Sequence, residues 1–83
     1  MDKDEIFSVI KQNIIEVVPE LADRSITMKD SMRELGANSI DRAEILIKSM
    51  AALKLKVPLV DFGQAKNLEE LVEIFSIKFN SQK

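Results

Sequence analysis

The segment Leu35-Gly36-Ala37-Asn38-Ser39-Ile40-Asp41 holds the residues best suited to chemistry, and that chemistry is modification rather than catalysis. Gly36 lets the backbone turn tightly. Asn38 reads as the N-cap of a helix that begins at Ser39. The Ser39 hydroxyl then stands where unpaired backbone N–H groups and the positive end of the helix dipole favour an anion. A phosphodiester on Ser39 Oγ would be well placed there, and its pendant group would face solvent. The plainer reading is that Asn38 and Ser39 cap a helix and do nothing more.

The rest of the inventory argues against an enzyme. The sequence has no His and no Cys, which removes the commonest general base, the commonest metal ligand and the thiol nucleophile. No base is patterned beside a hydroxyl, so the expectation is no catalytic residue and no metal site. The net charge of −2 comes from interspersed acids and bases, without the basic stripe that nucleic acid requires. No apolar run approaches a membrane span, and the mixed charges of Met1 to Glu5 lead into no signal-like segment, so a cytoplasmic protein is expected. A chain of 83 residues with 46% hydrophobic residues supports one small core, read as a single domain over residues 1–83.

The elements that must position Ser39 follow from apolar spacing. Phe7, Ile10, Ile14, Val17 and Leu21, widened by Ile6 and Val18, predict a first helix from about Asp4. Asp2 or Asp4 can cap it, and Pro19 should end it near Val18. Residues 19–38 lack clear periodicity, but Leu21, Ile26, Met28, Met32 and Leu35 can pin them to a core, with Ser31 to Leu35 as a single helical turn. A loop this long in a small domain is usually functional. A second helix is predicted from Ser39 to Leu53, with Ile40, Ala43, Leu46, Ile47, Met50 and Leu53 forming a broad apolar arc. Asp41, Glu44 and Lys48 share the opposite edge, and Lys54 and Lys56 suit the negative C-terminal end. After Val57-Pro58, Asp61 to Gln64 can form a short turn closed by Gly63. Asn67 with Glu70 resembles a capping box for a last helix, whose inner face is Leu68, Leu71, Val72, Phe75 and Phe79. The fold class expected is an all-α bundle of three main helices plus one short helix, with a long loop between the first two main helices.

In this order and with this segment the chain resembles the acyl carrier protein family over essentially its whole length. The family signature Leu-Gly-x-Asp-Ser-Leu stands here as Leu35-Gly36-Ala37-Asn38-Ser39-Ile40. The resemblance implies that Ser39 bears a covalent 4′-phosphopantetheine arm, added by a phosphopantetheinyl transferase. Asn38 in place of Asp keeps the cap but removes a charge, and Ile40 replaces Leu. Gly36 to Ile45, Val57 to Asp61 and Gly63 to Leu71 carry a narrower resemblance, to the free-standing donor carriers of polyketide β-branching cassettes. That implies an acetyl group held as a thioester and presented to a hydroxymethylglutaryl-CoA (HMG-CoA)-synthase-like condensing enzyme. An acyltransferase and a decarboxylating ketosynthase are then further partners, and the carrier is expected to be a monomer.

A partner face is expected around Ser39: Ile40, Asp41, Arg42, Glu44, Ile47 and Lys48. Asp41 and Glu44 would steer encounter with basic patches, while Arg42, Lys48, Lys54 and Lys56 make this helix less acidic than in typical fatty-acid carriers and could reject wrong partners. Periodicity alone leaves Ile40 and Ile47 open between core and surface; the resemblance implies exposure, with Ile45 and Leu46 then in the core. Met28, Met32 and Met50 read as pliable core filling. The alternatives are a fatty-acid or peptidyl carrier, or a helical interaction module without a prosthetic group.

Overall fold

The computed structural model describes residues 2–81. Helix α1 spans Lys3–Val17, α2 Met32–Leu35, α3 Ser39–Leu53 and α4 Leu68–Asn80, with 3-10 turns at Pro19–Asp23 and Leu59–Phe62. No strand occurs among the described residues. Helix α1 packs against both α3 and α4, so the core lies among three long helices.

Each helix starts where a side chain supplies the missing acceptor. Asp2 caps α1 in a full capping box with Glu5, and Asn38 caps α3 in another with Asp41. At α4 the Asn67 side chain accepts from the Glu70 N–H at 2.9 Å, but Glu70 Oε1 accepts from the Lys66 N–H at 3.1 Å rather than from Asn67. The expected box is therefore completed one residue earlier in the chain.

The buried axis of α1 is Ile6, Ile10 and Ile14, with Asn13 beside it. Phe7 and Val17, central to the sequence pattern, are only partly buried at its edge. Leu21 is buried from the Pro19–Asp23 turn instead, where Pro19 opens a tighter helix. The short helix expected after Pro58 is a 3-10 turn that begins at Leu59, two residues before the expected Asp61, with Gly63 as its C-cap. It is held by Phe62, which stacks on Phe75 of α4 at a centroid distance of 4.8 Å.

The long connection from α1 to α3 is tied down at both levels. Leu21, Ile26 and Leu35 are buried, while Met28 and Met32 pack partly buried against the core. The carbonyls of Asp30 and Met28 accept from the N–H groups of Leu68 and Glu69, each at 2.8 Å. Loop backbone thus satisfies first-turn donors of α4 that no side chain reaches. Between α1 and α3 the core contains a polar pair, in which Asn13 Nδ2 donates to Ser49 Oγ at 3.0 Å. Among the described residues no buried side-chain polar atom lacks a partner.

Candidate functional site

The site is built by the reversal between α2 and α3. Gly36 ends α2 with φ of 106°, and the Ala37 N–H donates back to the Met32 carbonyl at 3.0 Å. Nothing stands within 4 Å of where a Gly36 side chain would begin, so the backbone angle and not space demands glycine. Ala37 is buried and anchors the turn, and Asn38 opens α3 in extended conformation. Asn38 Oδ1 accepts from the Asp41 N–H at 2.8 Å, and Asp41 Oδ2 accepts from the Asn38 N–H at 3.4 Å.

This leaves Ser39 exposed as the first residue of α3. Its N–H and that of Ile40 have no acceptor among the described residues, as expected for the first turn of a helix. The Arg42 guanidinium reaches back one turn, and its Nη2 donates to Ser39 Oγ at 3.2 Å. The other serines differ. Ser49 and Ser76 are buried, Ser31 and Ser81 use their hydroxyls in local bonds at helix ends, and Ser8 and Ser25 are exposed without a cation bound to them.

The expected partner face comes together along α3. Ile40 is 79% exposed and Ile47 53%, although both fit the apolar arc of the sequence. Ile45 and Leu46 are buried, as expected from the resemblance. Glu44 is exposed, and Asp41 is half-buried by its capping role. Lys48 is exposed and also pairs with Glu16 of α1 at 3.7 Å. Ile47 borders an open apolar groove of about 490 Å³, shared with Met50, Leu55, Val57 and Pro58. The sequence reading missed this groove, and it missed Leu59 and Val60, which are exposed beyond it. The signal was the run Val57-Pro58-Leu59-Val60, more apolar surface than a short turn can bury.

The family model for the phosphopantetheine attachment site matches residues 9–75. The chain belongs to the acyl carrier protein family. The polyketide biosynthesis acyl-carrier-protein AcpK of Bacillus subtilis (strain 168) is 43% identical over 81 residues, covering 98% of this chain and 99% of that protein. A chain in the crystal structure of the curacin biosynthetic pathway HMG synthase in complex with acetyl donor-ACP is 37% identical, with a TM-score of 0.89 over 94% of this chain and 100% of that one. The carrier therefore holds a covalent 4′-phosphopantetheine and supplies no catalysis of its own.

The residues present fit that group. The arm needs one accessible hydroxyl, an electropositive setting for its phosphodiester, and freedom for the rest to extend. Ser39 offers an exposed Oγ with the Arg42 guanidinium on it. Bound there, the arm would supply a thiol that carries acyl groups as thioesters. What the chain contributes is placement: α3 fixes the direction of Ser39, and the caps at Asn38 and Asp41 keep its first turn intact. Among the described residues no helix is long and apolar enough to cross a membrane, and no cluster of His, Cys, Asp and Glu could hold a metal.

Proposed function

We propose that Ser39 is the phosphopantetheine attachment site and that the chain, as one carrier domain, presents an acetyl thioester to an HMG-CoA-synthase-like enzyme in polyketide β-branching. The likeness to a chain from the complex of an HMG synthase with its acetyl donor carrier carries this reading, because it extends over 94% of the chain at 37% identity. The similarity to a polyketide carrier of Bacillus subtilis supports the same pathway class. Ser39 is favoured as the site because it sits in the Leu-Gly-x-x-Ser-Ile segment, at an exposed helix start, with a cation at its hydroxyl.

Docking uses the outward face of α3. Ile40 and Ile47 provide apolar area that desolvates at the centre of the contact, and Glu44, Asp41, Arg42 and Lys48 surround it with charge. The apolar groove beside Ile47 widens this patch toward Val57 and Pro58. The monomeric carrier works in the cytoplasm, with a phosphopantetheinyl transferase, an acyltransferase and a decarboxylating ketosynthase as its further partners.

Incubation with coenzyme A and a broad-specificity transferase, read by intact-protein mass spectrometry, tests the site. One phosphopantetheinyl group should add to the native chain and none to Ser39→Ala. Acetyl-loaded carrier should then transfer its acetyl group to an HMG-CoA-synthase-like enzyme. Addition to the alanine variant would overturn the site, and absence of transfer would overturn the donor role.

A further inference from the structure

We infer that Arg42 is an internal counter-ion for the phosphodiester on Ser39, holding the root of the arm against the first turn of α3. The inference rests on Ser39 being the attachment site. Its own observation is the 3.2 Å bond from Arg42 Nη2 to Ser39 Oγ. A guanidinium that donates to a neutral hydroxyl while pairing with no carboxylate is a donor set awaiting an anion. The ion pairs among the described residues belong to Lys3, Lys48 and Lys78, not to Arg42.

The surroundings explain why this cation is free. The adjacent carboxylate, Asp41, is engaged in the cap of α3, where its Oδ2 accepts from the Asn38 N–H. Arg42 also lines a cavity of about 370 Å³ between α2, α3 and the start of α4. Arg33 and Lys66 line it as well, and no Asp or Glu does. Arg42 is thus one of three cations on this cavity, in a chain whose net charge is −2.

Esterification of Oγ puts phosphorus on the atom that Arg42 already contacts, with two non-bridging oxygens, sharing one negative charge, two bonds beyond Oγ. A planar guanidinium matches phosphate oxygens with two parallel donors, which an ammonium cannot do. An exposed pair of this kind between separate groups is weak. Covalent attachment raises the effective concentration of the phosphate at Arg42, so the bond forms within the holo-protein where free phosphate would not hold. The consequence is a preferred direction for the arm as it leaves α3, and one neutralised phosphate charge before any partner arrives.

The test uses holo-protein as wild type, Arg42→Gln, Arg42→Lys and Arg33→Gln. Fragment mass mapping first locates the arm, and an arm on another residue sinks the attachment site and this inference together. With the arm on Ser39, ³¹P relaxation and the Arg42 Nε–H resonance read the clamp alone. Loading should shift the Arg42 resonance, and Arg42→Gln should move ³¹P relaxation toward that of a freely rotating phosphodiester. Arg42→Lys should retain part of the restraint, Arg33→Gln all of it, and added salt should move the wild type toward the glutamine variant. Equal ³¹P relaxation in wild type and Arg42→Gln, both folded by circular dichroism, would overturn the clamp. An equally large Arg42 shift on adding inorganic phosphate to apo-protein would also overturn it, since the site would then be one for free anions.

Discussion

Ile45 and Ile47 stand two residues apart on α3 and share a side chain, yet Ile45 is fully buried and Ile47 is 53% exposed. The inner face of the helix, with Leu46, Ser49, Met50 and Leu53, is part of the core against which α1 is packed. The outer face carries Ile40, Glu44, Ile47 and Lys48, and starts at Ser39. One face is occupied by the fold, and the other is left free for whatever binds the carrier. An exposed isoleucine contributes little to folding, which leaves Ile40 and Ile47 available for the docking proposed above.

The largest effect that tests this division is in the core. Ile45→Ala should cost about 2–5 kcal/mol of unfolding free energy, by lost burial and the cavity left behind. Ile47→Ala should cost less than about 0.5 kcal/mol, as a surface change, and should instead weaken acetyl transfer to the synthase-like enzyme, chiefly through faster dissociation. Denaturant unfolding of both variants, with transfer measured on holo Ile47→Ala, decides it. A large stability loss at Ile47 with unchanged transfer would erase the distinction between the faces.

The polar pair sharpens the description of the inner face. Asn13→Ala leaves the Ser49 hydroxyl buried without its partner, and should cost roughly 1–3 kcal/mol. Adding Ser49→Ala should cost much less than the first change, since the stranded hydroxyl is then gone. A double-mutant cycle read by chemical denaturation would show this coupling, and strict additivity would show that the two side chains act independently.

Helix starts provide a smaller effect. Asn38→Ala removes the side-chain acceptor at the head of α3 and should cost about 1 kcal/mol, with a similar loss for Asn67→Ala at α4. Thermal melts report both. Only the change at Asn38 should also alter modification of Ser39, because only that cap shapes the turn where the transferase must work.

The smallest effect on folding is expected at Glu44. Glu44→Lys should leave stability within about 0.5 kcal/mol of the wild type. It should slow association with the synthase-like partner at low salt, and the difference should shrink as salt rises. Stopped-flow association at two ionic strengths reads it, and an unchanged rate would remove Glu44 from the docking face.

Local patterns in the sequence determined the ends of the helices. Asp2, Asn38 and Asn67 lie beside their own acceptor-poor first turns, and Gly36 lies where the chain must reverse, so neighbours alone decide these features. The bounds of α3 from Ser39 to Leu53 and the accessible serine at its head were therefore legible without coordinates. Which side of each stripe turns inward was decided only by tertiary structure. The apolar arc of α3 is wider than one contact face, and the positions of α1 and α4 select Ile45 and Leu46 for burial while leaving Ile40 and Ile47 outside. The same holds for α1, whose axis is Ile6, Ile10 and Ile14 rather than the stripe through Phe7 and Val17. Contacts between segments distant in sequence leave no periodic trace at all. Asn13 meets Ser49, the carbonyls of Met28 and Asp30 complete α4, and Phe62 stacks on Phe75 only because three helices close around one core.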